Sequence, residues 1–134
     1  MTIPNIHFHG NCAEVIEFYK DVFNAQVKVI NYAKEAPEDA GLGDLPPDFV
    51  MYSEVEICGM VFSLTDGADK PITGENHSFL LHYETEEEVK VVFNKLEAGG
   101  RVVEPLSETF WATLYGYVID KYGVNWQTMK RIEE

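Results

Sequence analysis

Positive charge is scarce in this chain of 134 residues: ten Lys and Arg stand against 23 Asp and Glu, a formal net charge of −13. Nucleic-acid backbones are gripped by clustered Lys and Arg, so the balance argues against a nucleic-acid partner. It leaves a surface that repels anions at long range. Long apolar runs are missing as well. None approaches the ~20 residues that a helix needs to cross a bilayer, and no membrane partner is expected. The opening stretch "MTIPNIHFHG" has no basic segment followed by an apolar one, so a secretory leader is not expected. Cysteine is limited to Cys12 and Cys58, without metal-type spacing. Two isolated cysteines imply reduced thiols and a cytoplasmic location. What is abundant is core-forming material, with 46% hydrophobic and 13% aromatic residues, enough for one domain with a substantial interior.

The strongest internal signal is a repeat. In "NCAEVIEFYKDVFN", Asn11 is a candidate N-cap with Glu14 three residues on, the arrangement of a capping box. Val15, Phe18, Tyr19 and Val22 then follow the i, i+3, i+4, i+7 stripe of a helix buried on one side. In "TEEEVKVVFNKLEAGG" the cap is Thr85, the acid is Glu88, and the stripe is Val89, Val92, Phe93 and Leu96. These positions are the first set displaced by about 74 residues, read directly from the numbering. The second helix is expected to stop at Gly99-Gly100.

The flanks repeat too. "IPNIHFH" and "HSFLLHYE" precede the helices as candidate strands, and three strand-like runs follow each helix. After the first these are "AQVKVINYA", "FVMYSEVEI" and "MVFSLTD", with a turn at Cys58-Gly59. After the second they are "RVVEPL", "TFWATLYGYVID" and "VNWQTMKRI", with a turn near Lys121-Tyr122-Gly123. The expected organisation is a first module over 1–66, a linker over 67–76 and a second module over 77–134. Within the first module, the Pro/Gly/acid loop 34–48 has no counterpart in the second and reads as an excursion or a lid.

A paired β-α-β-β-β module resembles the vicinal oxygen chelate superfamily, the glyoxalase/bleomycin-resistance fold. Within it the chain is similar to the PhnB-like branch, often labelled as a 3-demethylubiquinone-9 3-methyltransferase domain. The residues carrying the resemblance are "HFHGNCAEVIEFYKDVFNA" (7–25), "EVEICGMVFSLTD" (54–66) and "ETFWATLYGYVIDKYGVNWQ" (108–127). The implied fold class is α+β, two βαβββ modules forming one curved mixed sheet with helices on its convex side. No glycine-rich loop after a first strand supports a nucleotide-type cofactor, so the methyltransferase label gains no cofactor from the residues. Where many relatives place a base between "FWG" and "YG", this chain has "FWATLYG", with Leu114 at that place.

In metal-dependent members each module gives one ligand from its first strand and one from its last. Counting from the helix and hairpin landmarks puts these places at Pro4, Ser63, Gln127 and either Ser78 or His77. Three of them lack the imidazole or carboxylate that a divalent metal requires. The expectation is therefore no metal and no cofactor. On that count Pro4, Ile6 and Phe8 share the cavity face, His7 points to the helix layer and His9 lies beside the Asn11 cap.

The concave space left without a metal reads as a ligand site. Its expected lining is Ile6, Phe8, Val61, Ser63, Thr65, Leu80, His82 and Gln127, with Trp111 and Trp126 at its edges. His82 is the general acid/base candidate, because it is the only histidine in that set. Glu54 and Glu56 alternate on a strand and read as a solvated face, while the acids at 84–88 suit a helix N-terminus. A helix-start thiol at Cys12 would gain reactivity from its place, although no His partner is evident for either cysteine. Two functions follow: a metal-independent binder of a small, partly apolar molecule, or a lyase, isomerase or dioxygenase with a displaced metal site at His77 or His82. The superfamily implies a homodimer.

Overall fold

In the computed structural model, which describes residues 1–132, the chain divides into two compact units, Met1–Ile72 and a second beginning at Thr73. The first unit runs β1 (Asn5–Phe8), α1 (Cys12–Phe23), β2 (Gln26–Tyr32), β3 (Val50–Ile57) and β4 (Met60–Asp66). The second runs β5 (Phe79–His82), α2 (Glu86–Glu97), β6 (Arg101–Ser107), β7 (Ala112–Ile119) and β8 (Asn125–Arg131). Each unit holds one four-stranded sheet, in the order β1-β4-β3-β2 in the first and β5-β8-β7-β6 in the second. The order is the same in both: first and last strands pair in parallel, and the remaining neighbours are antiparallel. The fold is α+β, with two mixed sheets and a helix packed on each.

Each helix buries the stripe that its apolar spacing dictates. On α1, Val15, Tyr19 and Val22 are buried, joined by Cys12 and Ile16, while Phe18 is half-buried. On α2, Val89, Val92, Phe93 and Leu96 are all buried. The helix lies so close to its sheet that Gly116 on β7 has no room for a side chain. A methyl there would meet the Phe93 ring at 2.6 Å and Leu106 at 2.8 Å.

The two helix starts are built differently. Thr85 caps α2 as expected, its hydroxyl accepting the Glu88 N–H at 3.2 Å. Asn11 makes no side-chain cap to α1. Instead Asp66, at the end of β4, reaches back: its Oδ1 accepts the N–H groups of Gly10 and Cys12 at 2.8 and 3.0 Å. Its Oδ2 takes the Val50 N–H at 2.9 Å. One buried carboxylate thus ties the helix start to two strands, satisfying helix N–H groups with a negative charge at the positive end of the helix. Local spacing could not reveal this cap, because its donor of charge is 54 residues away.

The hairpin from β3 to β4 turns on two residues, Cys58 and Gly59, with φ of 49° and 85°. Two successive left-handed residues match the twist of a tight hairpin. The excursion 34–48 carries two short 3-10 turns, Ala33–Glu35 and Glu38–Ala40, and borders an open hollow of about 290 Å³ together with Ala33.

Two expectations follow. Thr128, fully buried on the helix side of β8 beside Gly116, has a hydroxyl with no hydrogen-bond partner among the described residues. Replacing it with an apolar residue of the same shape removes that penalty. Thr128→Val should therefore raise the unfolding free energy by about 1 kcal/mol in a urea titration. Cys12 is completely buried, and burial followed by the charge of Asp66 pushes its thiol far above the ordinary cysteine range, whereas Cys58 is exposed at the hairpin tip. A thiol reagent should modify one cysteine per folded chain, at Cys58, and two per unfolded chain. The helix-start activation of Cys12 is overruled by its desolvation.

Candidate functional site

Because paired strand residues share a face, the register sorts each sheet into a helix side and an open side. In the first module Ile6 lies opposite Leu64 and Phe8 opposite Asp66, the residue that caps the helix. Phe8 is buried, and both residues belong to the helix side. This corrects the expected parity of β1. Asn5 and His7, opposite Ser63 and Thr65, occupy the open side instead. His7 is exposed and does not enter the helix layer. His9 stays beside the cap, its N–H reaching Asn11 Oδ1 at 3.4 Å and its ring Nδ1 3.3 Å from the Gly67 carbonyl. The miscount has a physical source: β1 pairs with β4 and β5 pairs with β8 in registers that are not equivalent. Counting from the helix therefore does not locate the face on β1.

Asn5 sits at the junction of the first and last strands of its module. Its Nδ2 donates to Ser63 Oγ at 3.0 Å, to the Ser63 carbonyl at 3.2 Å and to Thr65 Oγ1 at 3.3 Å. Val61 shares this open side and lies opposite Glu56. Lys28 pairs with Glu56 at 3.4 Å, and the Tyr52 hydroxyl donates to Glu54 at 2.6 Å, so these two acids are partnered on a partly solvated face.

In the second module the corresponding junction holds Ser78 and Gln127. Gln127 Nε2 donates to Ser78 Oγ at 2.6 Å, which places Ser78 rather than His77 beside the last strand. On the same side Leu80 lies opposite Gln127, and Tyr115 on β7 donates its hydroxyl to Gln127 Oε1 at 2.6 Å. Trp111 stacks edge-on against Tyr115, with ring centroids 5.5 Å apart, and Phe110 packs edge-on against Trp111 at 4.9 Å. Trp111 and Leu80 are 45% and 46% exposed, so an apolar patch borders this hydrogen-bonded trio. Partial burial, then Glu104 and then Tyr117 raise the pKa of Tyr115 and keep it protonated as a donor.

One expected site residue falls elsewhere, and another lies at the margin of the open face. Trp126 is on the helix side of β8: it is fully buried, packs on Phe79 at 5.4 Å and donates its indole N–H to Asp120 Oδ2 at 2.9 Å. It is a core residue and not an edge of the cavity. His82 is exposed at the end of β5, opposite Met129, and borders a shallow hollow of about 320 Å³ with Tyr83, Glu84, Lys130 and Arg131. Sequence reasoning missed Asn5, Tyr115 and the part played by Phe110. Tyr115 lies within the block most specific to the resemblance, and its i, i+4 offset from Trp111 across a strand start gave no helical or strand signal.

The ligand places of metal-dependent relatives are the first and last strands of each module. Here those places are taken by Asn5 with Ser63, and by Ser78, just ahead of β5, with Gln127. Neutral amides and hydroxyls already bonded to each other do not fit a divalent cation, which is held by imidazole, carboxylate or thiolate. Among the described residues no group of three His, Cys, Asp or Glu side chains could hold a metal ion.

Comparison with known proteins agrees with the architecture. Residues 1–129 match the family model described as 3-demethylubiquinone-9 3-methyltransferase. Protein YjdN of Escherichia coli K12 is 27% identical, over 92% of this chain and 90% of its own. The structure of the PhnB protein from Bacillus cereus is 26% identical with a TM-score of 0.81, covering 96% of this chain and 98% of that one. The fosfomycin resistance protein FosX of Listeria monocytogenes shares the fold alone, with 12% identity, a TM-score of 0.68 and coverage of 96% and 90%. The strand order and these likenesses converge on one assignment: the chain belongs to the 3-demethylubiquinone-9 3-methyltransferase family, is similar to the PhnB protein, and has the glyoxalase/bleomycin-resistance fold.

Proposed function

We propose that this protein is a metal-independent binder of a small, partly apolar molecule, taken on the open face of the second module. The observation that carries the reading is the pairing of exposed apolar surface, Trp111 and Leu80, with a fixed polar trio, Tyr115, Gln127 and Ser78. Ligand sites are typically apolar with a few placed polar groups, and an exposed apolar patch rimmed by polar groups is a common mark of one. The reading favours an uncharged ligand over an anion, because the charge of Glu104 reaches Tyr115 on this face. It includes a cytoplasmic location and pairing of two copies of the chain, for which light scattering should give about twice the 15.2 kDa chain mass.

The competing reading, a superfamily enzyme with a displaced metal site, would need His77 or His82 to recruit acidic or thiol ligands. A thermal-shift screen of chelator-treated protein against metabolites and antibiotics tests the two. A ligand at one hundred times its Kd adds about 2.7 kcal/mol to the native state. At least one compound should raise the Tm of the chelated protein, and Trp111→Ala should weaken its binding by about 30-fold, the cost of losing an aromatic anchor. Stoichiometric divalent metal in the purified protein, lost in His77→Ala or His82→Ala, would contradict the proposal.

A further inference from the structure

The hydrogen bonds on the open face of the second module run in one direction. Tyr115 donates its O–H to Gln127 Oε1 at 2.6 Å, and that amide donates from Nε2 to Ser78 Oγ at 2.6 Å. A glutamine side chain has one carbonyl and two N–H donors. With the carbonyl taken by Tyr115 and one N–H taken by Ser78, the second N–H remains. Ser78 Oγ accepts from the amide, and its own O–H finds no acceptor among the described residues. The free groups at the centre of the face are therefore donors: the Ser78 hydroxyl and the second Gln127 N–H.

Donors alone would suit an anion as well as a neutral acceptor, and the charges around them decide between the two. Glu104 is close enough to raise the Tyr115 pKa, and the chain carries a net charge of −13. At the Ser78–Gln127 pair a carboxylate or phosphate would meet the like charge of Glu104, whereas Lys130 and Arg131 lie further along β8, beside His82 and Glu84. Beside the donors, Leu80 and Trp111 offer an aliphatic and an aromatic surface. Resting on the binding reading above, we propose that the face selects uncharged carbonyl compounds built on an aromatic or alicyclic ring. The carbonyl oxygen takes the Ser78 and Gln127 donors, and the ring packs on Trp111 and Leu80. Tyr115 is the positioning residue: by holding the Gln127 carbonyl it fixes which end of the amide the ligand meets.

The test uses three probes with one ring system: 2-acetylnaphthalene, 2-naphthoate and 2-ethylnaphthalene. Binding is followed by the NMR signals of the Trp111 indole N–H and the Gln127 side-chain amide in the full chain. The ketone should shift both signals saturably and bind about fivefold or more tighter than either other probe, the span of one neutral hydrogen bond. Ser78→Ala should bring the ketone close to the ethyl compound without weakening the latter. Tyr115→Phe should do the same through a freed amide, visible as a displaced Gln127 signal, and a backbone spectrum unchanged elsewhere shows that both variants are folded. Equal binding of all three probes, or tightest binding of the carboxylate, would overturn the polarity inference while leaving the binding face in place. No shift of the Trp111 signal with any probe would overturn the binding face itself, and the inference with it.

Discussion

In both modules the first strand lies in parallel beside the last, and the rest of the structure is arranged around that pairing. Parallel neighbours cannot be joined by a tight turn. The chain must leave the first strand, cross the sheet as a helix and return through an antiparallel meander. The helix covers one face and leaves the other open. The same pairing sets residues from the two ends of a module side by side, Asn5 against Ser63 and Ser78 against Gln127. Whatever chemistry the scaffold performs is decided by which side chains occupy that seam.

In this chain the seam is filled by groups that satisfy each other. The amides of Asn5 and Gln127 are committed to neighbouring hydroxyls, and Gln127 is further anchored by Tyr115. Such a network is rigid and neutral, with its donors already oriented. A cation would have to break these bonds and would gain only neutral oxygens. Within the same face Trp111 presents an aromatic surface, packed edge-on against Tyr115. Neutrality here contrasts with the strongly acidic surface of the chain as a whole.

The repeat was legible because helix burial is local. The stripes Val15–Tyr19–Val22 and Val89–Phe93–Leu96 follow from spacing within a single element, and they are buried as that spacing demands. The hairpins were legible for the same reason, since Cys58-Gly59 carries its turn in two residues. The face of β1 was not. A strand of four residues has too little alternation to declare its side, and its parity is fixed by the register with Ser63 and Thr65, some 60 residues later in the chain. Trp126 was misplaced by similar reasoning: it adjoins Gln127 but points the opposite way, drawn into the core by Phe79 and Asp120. Tyr115 went unnoticed because its role exists only through a cross-strand bond to Gln127.

The central claim is that these seam amides are occupied by their own neighbours and do not hold a cation. Paramagnetic Mn²⁺, titrated into metal-free protein while the side-chain amide signals of Asn5 and Gln127 are observed, tests it most directly. The account predicts that substoichiometric Mn²⁺ broadens neither signal more than those of the acidic surface. Selective loss of either amide signal at a fraction of one equivalent would contradict it.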